Sequence, residues 1–143
     1  AKSILPLDLF IYEYRIGDVT QSVSAENQLK RIGHTETVLK RMTAEGKSFT
    51  GAAALYCAKK THLLLLSFLV TSLLCDKDRK AGRKRADEMM DFMDKEYHIV
   101  YEMSRKHCKI LKTLNRLHIG LNGYNRILNS KLYNKVRHNK SFE

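Results

Sequence analysis

The chain has 143 residues and 16.6 kDa, the size of one domain, and can bury a real core without metal or disulfide staples. Its composition is globular, 43% hydrophobic and 29% charged, and one proline with seven glycines leaves little for the many turns of a β-sandwich. Net charge is +11 and lopsided: residues 1–76 hold nine Lys/Arg against seven Asp/Glu, residues 77–143 seventeen against eight. A half at net +9 points to a polyanion such as nucleic acid, an anionic membrane surface or an acidic protein, although charge alone also fits a basic protein without a specific partner.

Residues 4–16, "ILPLDLFIYEYRI", form an aromatic and aliphatic segment closed by Gly17, with Pro6 near its start. Its β-favouring residues allow a strand, but no second strand exists to pair with it, so the reading is helix. Ser24 is a natural N-cap for a helix running to about Glu45 and stopped by Gly46. Leu29, Ile32, Leu39 and Met42 mark its buried face. Ser48 or Thr50 then opens the most apolar segment, whose Gly51, Ala52, Ala53 and Ala54 admit a close neighbour. From Leu63 to Cys75 thirteen residues carry no charge, fewer than the roughly 20 a membrane span needs. The segment is read as a core helix and not as a span.

Residues 76–88, "DKDRKAGRKRADE", read as a basic inter-helix linker turning at Gly82. Beyond it Val100, Met103, His107, Ile110, Leu114, Leu117, Leu121, Tyr124 and Leu128 recur in steps of three and four, with Met89 and Met93 extending the stripe backwards and Glu96 as its charged member. That heptad predicts one long C-terminal helix whose seam packs on neighbours or on a second copy. Gly120 and Gly123 interrupt it, as a bend or as a break, and the unbroken heptad favours the bend. The expected fold is therefore all-α, a single antiparallel helical bundle.

Enzyme signatures fail. "EGKS" at 45–48 mimics the tail of a phosphate-binding loop, but the required earlier glycine is Arg41 and a helix precedes it. Asp87, Asp91, Asp94, His98 and Glu102 form a helical acidic stripe without the Glu-x-x-His of a di-iron bundle, so they read as a solvated face. Cys57, Cys75 and Cys108 are far apart, which fits free thiols in a reducing intracellular compartment, and no secretory signal is visible. The sequon at Asn139–Ser141 is then incidental. Cys108 sits between His107 and Lys109, surroundings able to lower a thiol's pKa, but nothing nearby would orient a histidine. His107 reads as a register device on the seam or a satisfied core histidine, and not as a ligand. No cofactor or metal is implied.

Residues 103–142 hold ten Lys/Arg and no carboxylate, with asparagines and the tyrosines Tyr124 and Tyr133 among them. Such side chains neutralise and hydrogen-bond phosphates, and an acid would repel the same groups. The expected phosphate contacts are Arg79, Lys80, Arg83, Lys84 and Arg85 in the linker, and Arg105, Lys109, Lys112, Arg116 and Arg126 on the long helix. The expectation is a non-catalytic nucleic-acid-binding accessory subunit (RNA or DNA) that meets other protein subunits or itself through the seam. The alternative is a helical adaptor docking on an acidic protein.

Overall fold

The structure, a computed structural model, describes residues 25–129. Segment 4–16, Ser24, Tyr133, the sequon and the four cations beyond Asn129 lie outside the described residues. Within them the chain is all-α. Helices α1 (Ala25–Lys30), α2 (Ile32–Gly46), α3 (Gly51–Val70), α4 (Arg79–Glu96), α5 (His98–Arg116) and α6 (Leu121–Leu128) follow one another, with a π-helical turn, Thr71–Cys75, prolonging α3.

The helix expected to end at Gly46 does so, after a slight break at Arg31, whose amide still reaches the carbonyls of Asn27 and Gln28. Thr50, extended, starts α3. Helix α3 is the centre of the fold and packs against α2 on one flank and α5 on the other. Its buried face, Ala58, Thr61, Leu65, Phe68 and Leu69, recurs at three- and four-residue steps, and the π turn adds Leu73 and Leu74. Counting only charge-free residues understates this element. Gly51–Cys75, running through Lys59 and Lys60, is long and apolar enough to cross a membrane by length and composition. A core helix passes the same test, and here Leu65, Phe68, Leu69 and Leu73 are at most 1% exposed.

The π turn explains the next two features. Widening the helix frees carbonyls from the regular ladder. The Leu73 carbonyl then accepts a hydrogen bond from Nδ2 of the fully buried Asn115 on α5. The Ser72 carbonyl faces Gly82, where an added Cβ would stand 2.1 Å from its oxygen. Gly82 is therefore no turn. It is a buried helical residue that lets α4 approach the backbone of the π turn.

Residues 76–88 are correspondingly not a linker. Only Asp76–Asp78 connect, and α4 begins at Arg79 because Asp78 Oδ1 accepts from the amides of Lys80 and Ala81, both at 3.0 Å. The single long C-terminal helix is also corrected. It divides at Tyr97, which leaves the helical region (φ −151°, ψ 63°), so that α4 and α5 form an antiparallel pair. It divides again after Arg116. There His118, at φ 59°, takes the left-handed position, its amide bonding Asn115 O and the next amide, Ile119, bonding Leu114 O. That is a Schellman closure with histidine where glycine is usual, and α6 restarts at Leu121.

The heptad seam faces the core only in part: Met89, Met93 and Val100 are buried, and Leu114, Leu121 and Tyr124 pack against the core. On α5 the buried stripe is Val100, Ser104, Cys108, Leu111 and Asn115. Ile110 and Leu117 are 57% and 64% exposed. Beyond Val100 the core uses a stripe rotated by about one residue, which leaves Ile110 and Leu117 of the seam on an open flank.

Candidate nucleic-acid interface

The ten expected phosphate-contacting residues divide into three groups. Arg79, Arg85 and Lys112 serve the fold. Arg79 donates from Nη1 to Asn115 O at 3.0 Å and from Nη2 to His118 O at 3.3 Å, placing a cation on the carbonyls that end α5. Arg85 pairs with Asp76 at 3.1 Å, both partly shielded, and so ties α4 to the connection before it. Lys112 on α5 pairs with Asp87 on α4. Burial works against the Lys112 ammonium, yet the Asp87 hydrogen bond and charge, with Cys108 and Asp91 adding to them, hold its pKa above the ordinary value.

Lys84 and Arg105 form exposed pairs within their own helices, with Glu88 at 3.8 Å and Glu102 at 3.0 Å. Pairs of this kind contribute at most about 1 kcal/mol and exchange readily for a phosphate. The third group is Lys80, Arg83, Lys109, Arg116 and Arg126. None of these has an ion pair with another described residue, and all but the half-buried Arg83 are exposed.

Helical spacing and the antiparallel register bring most of these together. Arg105, Lys109, Lys112 and Arg116 follow at four, three and four residues, one continuous stripe along α5. With Asp87 opposite Lys112, the register sets Arg83 one turn earlier on α4 opposite Arg116 one turn later on α5. The first two turns of α4 and the last two of α5 thus form a basic end: Lys80, Arg83 and Arg116 with Arg79 and Lys112 behind them. Arg126, on α6, belongs to a separate element. Toward the other end of the pair the α4 edge carries Asp87, Asp91 and Asp94. The basic stripe is therefore bordered by acid from Arg105 as far as Lys112, which pairs with Asp87, and is clear of these three carboxylates at Arg116.

No protein-family model, curated protein or solved structure matches the chain. The side chains themselves carry the reading.

Other candidate chemistry is used up within the fold. His98 Nδ1 hydrogen-bonds Asp94 Oδ1 at 2.8 Å, and among the described residues no three of His, Cys, Asp and Glu converge to hold a metal. Burial raises the pKa of Cys108 and of Cys75, the opposite of thiol activation. Glu96, expected on the seam, is exposed and pairs with Lys47 of the α2–α3 loop.

His107 is exposed and is no core histidine; its ring lies 5.9 Å from that of His62. His62 Nδ1 meets Ser104 Oγ at 2.8 Å, and burial, with the His107 charge adding to it, holds its pKa below the ordinary value.

Sequence reasoning missed an apolar cleft. Leu66 and Val70 of α3, His107, Ile110 and Leu114 of α5, and Tyr124, Ile127 and Leu128 of α6 line a volume of about 220 Å³. The signal was present in the heptad, since His107, Ile110, Leu114, Tyr124 and Leu128 are all seam positions. Past Val100 it marked a partly open apolar surface beside the core.

Proposed function

We propose that the chain is a non-catalytic nucleic-acid-binding accessory subunit of a nucleoprotein complex. Its phosphate contacts come from the basic end of the α4–α5 pair. Lys80, Arg83, Lys109 and Arg116 make the primary contacts, Lys84 and Arg105 join by exchanging their exposed pairs, and Arg126 adds a peripheral contact. Arg79, Arg85 and Lys112 hold the helices that carry them. The observation that supports this reading most is the convergence of cations without acidic partners, in a half of the chain at net +9. Phosphate contact by such side chains positions a polyanion and reads no sequence. The three free thiols suit a reducing compartment.

A second reading, an adaptor docking on an acidic protein, is favoured by Asp87, Asp91 and Asp94 beside the stripe from Arg105 to Lys112. Those carboxylates oppose phosphates but suit a partner surface of mixed charge. Fluorescence anisotropy of an unrelated labelled oligonucleotide, titrated at several salt concentrations, separates the two. Phosphate contact makes log affinity fall linearly with log salt, by about 0.7–0.9 per contact. Absence of binding at low salt, or a slope near zero, leaves the adaptor.

A further inference from the structure

We propose that the apolar cleft between α3, α5 and α6 is the docking site of this chain's own segment 4–16. Four observations converge on that occupant.

Among the described residues the cleft is an unfilled seam and not a ligand pocket. At about 220 Å³ it is smaller than the roughly 300–1,000 Å³ of a small-molecule site. It continues into exposed apolar surface: Ile127 is 42%, Ile110 57% and Leu63 59% exposed. Single exposed apolar residues need no explanation, but a contiguous row over three helices does.

The described chain begins within a short connection's reach of it. Helix α1 packs on the π turn, and Thr71 Oγ1 donates to Gln28 Oε1 at 3.2 Å. Thr71 is next to Val70, which lines the end of the cleft. The eight residues 17–24 between segment and helix span up to roughly 26–29 Å when extended. From Val70 to Leu63 along α3 is only about 10 Å at helical rise.

The dimensions agree. Leu55, Lys59, Leu63, Leu66 and Val70 share one face of α3 at steps of four, four, three and four. That face is about 22 Å long, and thirteen residues at helical rise cover about 20 Å. In the segment Leu7, Phe10, Ile11 and Tyr14 fall at i, i+3, i+4 and i+7, the spacing of one apolar face.

Charge agrees as well. The segment carries Asp8 and Glu13 against Arg15, whereas Lys59 interrupts the α3 face and Lys106 borders Ile110, both exposed. A second copy would bring basic residues against basic residues around the same cleft. The N-terminal segment brings a net negative charge.

The test places the photoreactive p-benzoylphenylalanine at position 10 of the full chain, irradiates dilute protein and maps the products by mass spectrometry. Expected are intrachain crosslinks to peptides of α3, α5 and α6 that contain the cleft residues. They should fall at least tenfold in the Leu66→Asp, Ile127→Asp variant, whose two sites are partly exposed and whose helical circular dichroism should persist. Crosslinks to other faces, crosslinks confined to a dimer (a second copy in the cleft), or a probe that labels lipid when phosphatidylglycerol vesicles are added would each overturn the proposal. None of these outcomes depends on nucleic-acid binding.

Discussion

Replacing Gly82 by alanine puts the helix-approach geometry to a quantitative test. In an open helix the change stabilises, by about 1 kcal/mol, because glycine is the poorer helix former. At Gly82 the new Cβ would lie 2.1 Å from the Ser72 carbonyl oxygen and 3.2 Å from its carbon. Both atoms belong to the backbone, so no side chain can swing away. Helix α4 must lift by about 1 Å, loosening Ala86, Met89 and Met93, which the core buries to 2% exposure or less. Overpacking against yielding neighbours costs about 1–3 kcal/mol, and a rigid neighbour puts this site at or above the upper end. The expected net loss is about 2–4 kcal/mol, a fall in Tm of roughly 10 °C. Gly33→Ala is the internal control, since nothing lies within 4 Å of its Cβ position, and a gain of about 0.5–1 kcal/mol is expected. Urea unfolding followed at 222 nm measures both. A Gly82→Ala chain as stable as the parent would show that α4 does not lie against the π turn.

Leu65→Ala, at a fully buried site, should cost about 2–5 kcal/mol, while Leu117→Ala, at a seam position that is 64% exposed and outside the cleft, should stay within about 0.5 kcal/mol as a surface substitution; equal losses would show that the end of the seam is core. Arg79→Gln should destabilise by about 1.5–3 kcal/mol through the carbonyls it leaves at the end of α5, visible as a lowered urea midpoint, and an unchanged midpoint would return Arg79 to the free cations. His62 has its folded pKa depressed below the ordinary 6.5, so the unfolded chain takes up a proton the folded one resists. Its contribution is therefore complete above about pH 6.5 and is lost as pH falls through that value toward the folded pKa; His62→Gln should flatten the fall in urea midpoint between pH 7 and 5, and an unaltered profile would contradict it. His118→Gly, relieving a left-handed histidine, should raise stability by about 1 kcal/mol in the same assay; a loss would mean that the histidine side chain is needed there.

The helical character and most of the early boundaries were legible because capping and spacing are local. Thr50 stands at the start of α3 and Gly46 at the end of α2, the positions their residue types suggest, although Thr50 makes no side-chain capping hydrogen bond. The failures have one physical source: contacts between segments distant in sequence. Gly82 looked like a turn among cations, but its freedom from a Cβ is used against a carbonyl ten residues back. On α5 the true buried stripe includes Ser104, Cys108 and Asn115, small or polar residues that an apolar count passes over. A more conspicuous apolar stripe on the adjoining flank drew the heptad instead. The candidate interface was legible as composition and not as geometry. Nothing local to Lys112 announces Asp87, twenty-five residues away, and nothing local to Arg79 announces the carbonyls it caps. Spacing alone could not separate the cations that build the fold from those left for a ligand.

The most direct test of the proposed function compares salt slopes. Lys80, Arg83, Lys109 and Arg116 are changed together to glutamine, which spares Arg79, Arg85 and Lys112 and so spares the helix contacts they make. Circular dichroism should be unchanged. In oligonucleotide binding, the slope of log affinity against log salt should become shallower than the parent's by about three units, uniformly across unrelated sequences. A variant that binds as tightly as the parent, with the same slope, would contradict phosphate contact at the basic end of the α4–α5 pair.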